Sequence, residues 1–116
     1  MAIAVNSTKE ALAIAYATTT NSWISLHTGD PGSTGTAEAT GGSPAYARKQ
    51  TTWTAGAVDG ISQGSQVTID VPAGTYTFVG IWTAATGGSF VDKVAITSTT
   101  LGAQGQILVT PKITIS

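Results

Sequence analysis

Hydrophobic and polar positions change their rhythm once along this chain, near residue 21. Before it, Ala11-Leu12-Ala13-Ile14-Ala15-Tyr16-Ala17 is a run of strong helix formers, with Leu12 and Tyr16 four apart on one face. Ser7-Thr8-Lys9-Glu10 precedes it as a capping box, in which Ser7 accepts from the Glu10 amide and Glu10 reaches back. The pattern predicts a helix over 8–17, stopped by the β-branched Thr18-Thr19-Thr20. Apolar residues 1–5 predict a short strand or a docking arm, the arm extending to residue 6.

After residue 21 the pattern is strand and turn. Residues 22–27 predict a strand ending in the turn cluster Thr28-Gly29-Asp30-Pro31-Gly32, and residues 33–44 a loop. The span 46–54 predicts the next strand. Gln66 to Val71 alternates cleanly, with Val67, Ile69 and Val71 inward. Residues 75–83 are apolar on both faces, Tyr76, Phe78 and Trp82 on one and Val79 and Ile81 on the other, which marks a central strand. Strands over 90–97, 106–110 and 112–116 complete the set. Strand spacings of about 10 to 15 residues with Gly and Pro punctuation predict a mainly β single domain over 1–116. Its architecture is a β-sandwich or jelly roll over 22–116 with one N-terminal helix.

Composition changes this picture in one respect: charge is scarce. Of 116 residues, 9% are Asp, Glu, Lys or Arg, against roughly 25% in an ordinary soluble domain. Thr, Ala, Gly and Ser take their place. With 41% apolar residues and a net charge of −1, the chain is not of disordered composition. Five scattered basic residues give no electrostatic grip on nucleic acid. The longest apolar run, residues 11–17, is far short of the ~20 residues that span a membrane, and no secretory signal is apparent. The absence of cysteine removes disulfide and thiolate chemistry.

Candidate chemistry is correspondingly thin. His27 is the one imidazole, and a zinc site on it would need Asp30 and Glu38 as partners, an unusual set; a strand-end structural role is the stronger expectation. Asp30 before Pro31-Gly32 suits a turn held by its side-chain oxygen. A serine hydrolase lacks its Gly-x-Ser-x-Gly elbow, and a glycosidase lacks a facing carboxylate pair, since Asp59 precedes Gly60 in a turn and Asp70 and Asp92 point outward. Loop oxygens of Asp30, Glu38 or Asp59 offer calcium only a weak site without an EF-hand pattern. The Gly-rich segments 40–44 and 86–89 lack the lysine of a phosphate loop. Trp23, Trp53 and Trp82, with Tyr46 and Tyr76, suit core packing better than sugar stacking. Arg48-Lys49 reads as a solvated or interface ion-pair site. No cofactor and no enzymatic activity are expected.

One stretch carries a resemblance. Trp23-Ile24-Ser25-Leu26-His27-Thr28-Gly29-Asp30-Pro31-Gly32, followed by Thr34-Gly35, Glu38, Gly41-Gly42, Tyr46-Ala47-Arg48 and Trp53, resembles a family of small tailed-bacteriophage virion surface proteins. Residues 71–75 and 80–90 resemble it too, so that about two-thirds of the chain matches in order. Ser43-Pro44-Ala45 lengthens the spacing between the glycine pair and Tyr46. The resemblance implies a structural virion protein with no catalytic residues. It suggests a capsid decoration protein that binds and cements the major capsid protein lattice, with tail-fibre or minor tail components and adhesion to host glycan as the alternative. Charge scarcity adds the expectation of a homo-oligomer, most plausibly a trimer, that shares surface with its neighbours. Residues 1–6 and the loop 29–45 are the candidate contacts, with His27, Asp30, Pro31, Gly32, Glu38, Tyr46 and Arg48 as the motif and interface candidates.

Overall fold

A computed structural model describes residues 4–17, 20–55 and 61–114. It contains one helix, α1 (Asn6–Tyr16), and nine strands: β1 (Trp23–His27), β2 (Lys49–Gln50), β3 (Trp53–Ala55), β4 (Ile61–Gly64), β5 (Val67–Val71), β6 (Gly74–Trp82), β7 (Phe90–Leu101), β8 (Gly105–Val109) and β9 (Lys112–Thr114). The chain is mainly β, as its pattern predicts.

Three antiparallel sheets share the work: β2-β1-β6-β7, β3-β4-β9 and β5-β8. The core forms where the first and last meet. Ile24 and Leu26 of β1 and Tyr76 and Val79 of β6 pack on Val67, Ile69 and Val71 of β5, all at or below 7% exposure. The clean alternation of β5 places these three valine and isoleucine side chains inward, while Thr68 stays exposed. The β4–β5 and β8–β9 segments form one long antiparallel ribbon that slips register by one residue at Ser65-Gln66. There Pro111 has no amide to donate, and its carbonyl instead accepts from Gly64 N–H at 2.8 Å.

Several local expectations are corrected. The helix starts at Asn6 with Val5 as its cap and no side-chain capping bond, so the Ser7 capping box does not form. Glu10 is buried at 7% and Ala13 at 0%, while Leu12 and Ile14 are 43% and 50% exposed; the face of Leu12 is therefore outward. The helix packs on β3 and β4. The predicted strand 46–54 is two short strands separated by a corner at Thr51. Thr51 N–H donates to Ser22 O at 2.9 Å and its hydroxyl to Ser65 O at 2.7 Å, which takes the backbone out of line. Tyr76 shares the core face with Val79 and not with Phe78, because the β6–β7 ladder is irregular between Tyr76 and Phe78. Strand β7 runs to Leu101, beyond the predicted end at residue 97. Residues 1–3 of the expected strand or docking arm, and the Asp59-Gly60 turn, lie outside the described residues; residues 4 and 5 form no strand and Asn6 already opens α1.

Candidate functional site

The 21 residues between β1 and β2 have almost no regular structure, apart from one bridge that sets Glu38 against His27. Side chains hold the segment in shape. Asp30 Oδ1 accepts from Gly32 N–H at 2.8 Å, the turn its position predicts, and also pairs with Lys93 Nζ of β7. Pro31 is fully buried, and its carbonyl accepts from the amides of Gly35 and Thr36, both at 3.0 Å. That turn brings Gly35 under Trp82. Gly35 has φ +81°, and a Cβ there would stand 2.3 Å from the indole, so only glycine suits both the conformation and the space.

Two hydrogen-bonded chains meet behind this loop. In the first, His27 is 0% exposed and its Nδ1 lies 2.8 Å from Thr36 O. A carbonyl only accepts, so Nδ1 carries the hydrogen and Nε2 is the acceptor. Ser25 Oγ accordingly donates to Nε2 at 2.7 Å, while it accepts from Trp82 Nε1–H at 2.9 Å. Burial holds the imidazole below its ordinary pKa, against the smaller upward pull of the Thr36 carbonyl and Glu38. The ring is therefore neutral. Phe90 closes this side edge-on, at 5.1 Å from Trp82 and 6.0 Å from His27. Gly80 opposite leaves the room: a Cβ there would come within 2.5 Å of Ser25 Oγ.

The second chain is ionic. Arg48 grips Glu38 with two prongs, Nε to Oε2 and Nη2 to Oε1, both at 2.8 Å. Its Nη1 donates to Ala84 O and Gly87 O at 3.0 Å, which ties down the β6–β7 turn. The guanidinium lies 3.6 Å above the Trp82 ring. Tyr46 OH donates to Glu38 Oε2 at 2.7 Å and accepts from Leu26 N–H at 3.2 Å. Burial pushes the Glu38 carboxyl upward, but hydrogen bonds from Arg48 and then Tyr46 outweigh it and hold its pKa low. Burial, and then the same carboxylate, push the Tyr46 phenol well up. The side chains of Arg48 and Glu38 are 8% and 19% exposed, so of the solvated or interface ion pair expected for Arg48 the solvated form does not hold.

The structure thus joins His27, Glu38, Tyr46 and Arg48 into one network with Pro31 beneath it. Asp30 stands apart at the surface with its side chain 61% exposed, and Gly32 sits in its turn with φ +65° and open space around it. Sequence inspection missed Ser25, Gly35, Gly80 and Phe90 as members. For Ser25, Gly80 and Phe90 the signal is small or aromatic residues on the same strand faces as His27 and Trp82, visible only once β1, β6 and β7 are in register (Ser25 opposite Gly80, Phe90 opposite Trp82), whereas Gly35 lies in the irregular segment and has no such signal. The Ser25–His27 contact has the length of a nucleophile–base pair, yet both side chains are 0% exposed and every donor and acceptor is engaged. Among the described residues, no group of three or more His, Asp or Glu stands close enough to hold a metal ion. Chemically, the arrangement locks an irregular segment onto a sheet.

A family model described as Podophage GP4 fiber I protein gp80 matches residues 6–116. No curated protein matches the chain.

Proposed function

The chain belongs to the podophage GP4 fiber I protein gp80 family, a bacteriophage structural-protein family, and from that premise we propose that it is a non-catalytic subunit of the tail-fibre assembly. The observation that carries the reading is the fate of its polar chemistry. His27, Ser25, Glu38, Tyr46 and Arg48 are spent on one another inside the fold, and none is presented to a substrate. What remains outside is short of charge and rich in threonine, a surface suited to contacts between subunits.

The second reading, a decoration protein cementing the capsid lattice, rests on the same charge-poor surface, which suits contact with a capsid lattice as well as with fibre subunits. Localisation in the virion separates the two. Immunogold labelling and copy number per particle, read together, should place the protein on the fibres at a few copies per appendage. Labelling of the capsid faces at hundreds of copies would move it to the decoration role. Burst of depleted virions at lower temperature would support that cementing role, since a ligand of the assembled lattice stabilises it by mass action. Host-glycan binding by the isolated protein would add adhesion to the fibre reading.

A further inference from the structure

The four-stranded sheet is wider than the sheet that covers it. Its partner β5-β8 has two strands, enough for the core over β1 and β6 but only for the margin of β7, where Ile96 and Leu101 pack against the core and Val94 does not. Val79 is 5% exposed, whereas Val94, directly opposite it on β7, is 59% exposed. Val94 and Ile96 line an open groove of about 410 Å³ bounded on its far side by Val109, Pro111 and Ile113. Among the described residues, the outer edge of β7 has no strand paired to it. It is the terminal strand of its sheet, twelve residues long, without proline and with charge only at Asp92-Lys93. The opposite edge, β2, has two residues and is blunted by Lys49. A long edge, uncharged from Val94 to Leu101, beside a partly covered apolar strip is a template for another strand. Ile96, Thr97 and Ser98 lack β6 partners as well, because the ladder passes from Ala95–Phe78 to Thr99–Tyr76.

We propose that two copies of this chain pair antiparallel through β7, with a two-fold axis beside Ala95, and join their four-stranded sheets into one. Self-complementarity selects this occupant and this register. Opposed residues in an antiparallel ladder point to the same face. Centred on Ala95, Val94 of each copy stands opposite Ile96 of the other, so four apolar side chains close over the two groove mouths. Asp92 then faces Ser98 and Lys93 faces Thr97, and no like charges meet. Centring on Lys93 sets two ammonium groups against each other, and centring on Val94 sets Asp92 against Ile96; both are penalised. The pair rests on the structural-subunit reading and gives that subunit its first contact. The pairing gives a dimer, an alternative to the expected trimer.

These 116 residues contain no cysteine, so one introduced thiol reports cleanly. Ala95 is exposed and faces its own copy across the axis, so Ala95→Cys should form a covalent dimer under mild oxidation at micromolar concentration. Leu108→Cys, 56% exposed on β8, should form no covalent cross-link under the same conditions. The unmodified chain should sediment as a dimer, and Val94→Lys as a monomer with an unchanged far-ultraviolet spectrum. A monomeric or trimeric native chain, or equal cross-linking of both thiols, overturns the pair, as does a β7 edge that engages only a different virion protein. Particle labelling tests the fibre role separately, so failure of the dimer leaves that result standing.

Discussion

At the scale of single residues, space and titration make the sharpest statements. Gly35 and Gly32 both have φ in the left-handed region, but an added Cβ meets the Trp82 indole at Gly35 and nothing within 4 Å at Gly32. Gly32→Ala should therefore cost only the backbone penalty, about 1 kcal/mol. Gly35→Ala adds overpacking and should cost about 2–4 kcal/mol, measured as the difference in urea unfolding free energy. His27 sets a second expectation. Its folded pKa lies below the ordinary 6.5, so the unfolded chain binds its proton first as pH falls. Stability contributed by the neutral ring is complete above 6.5 and declines as pH drops from 6.5 towards the folded value. Glu38, held low, contributes stability above the ordinary carboxyl range that is lost as pH falls through its own folded value, lower still. His27→Gln should lower stability at pH 8 and flatten the slope just below pH 6.5, read from urea midpoints across that range. A slope unchanged by the substitution would assign it elsewhere. The sequence identifies His27, Glu38, Tyr46 and Arg48 as candidates, with Arg48 beside Lys49 reading as a solvated or interface ion-pair site. Nothing local reveals that its guanidinium lies over an indole 34 positions away.

Elements were legible to the extent that their burial has a period. Strand β5 is buried on one face only, and its alternation predicts it to within a residue. The central position of β6 is equally plain from apolar residues on both faces, and it does pair with β1 and β7. The side each residue takes was not legible, because the β6–β7 irregularity is a property of the pairing. Strand β7 shows why its length escaped notice: it is exposed along most of its course, and a threonine-rich exposed strand has no contrast to read. The helix shows composition succeeding while amphipathicity fails, since Glu10 is inside and Leu12 outside. The β5–β6 corner can be tested directly. Tyr76, 1% exposed, donates its hydroxyl to Pro72 O at 2.7 Å across the tight turn. Tyr76→Phe keeps the ring packing and leaves that carbonyl short of a donor, so it should destabilise by about 1 kcal/mol in chemical denaturation. A neutral outcome would mean that water replaces the bond.

Across the whole molecule, the scarcity of charge acquires a location. The chain exposes 6,089 Å² and has five basic and six acidic side chains, of which Glu38 and Arg48 are turned inward and Glu10 is buried. Lys93 and Asp30 neutralise each other at the surface. Charge scarcity carries the expectation of a shared surface but not its place, because the mismatch between a four-stranded and a two-stranded layer is a fact of topology. The molecule is also drawn out, 46 × 25 × 24 Å, with the core at the β1-β6/β5 contact and α1 packed on β3 and β4.

The side-chain lock on the segment between β1 and β2 has a consequence for digestion. A protease needs an extended stretch of chain, and irregular segments ordinarily supply it. Here the Arg48–Lys49 bond follows an arginine held at Nε, Nη1 and Nη2 by Glu38, Ala84 and Gly87, so the stretch is released only when the sheet beneath it opens. Trypsin should leave this bond intact in the native protein and cut it at a rate that follows the open population as urea is added. Arg48→Gln removes that cut site but leaves Lys49, and loosening of the lock should make Lys49 cleavable without denaturant. A segment with the look of a nicking site would then serve as a gauge of global unfolding.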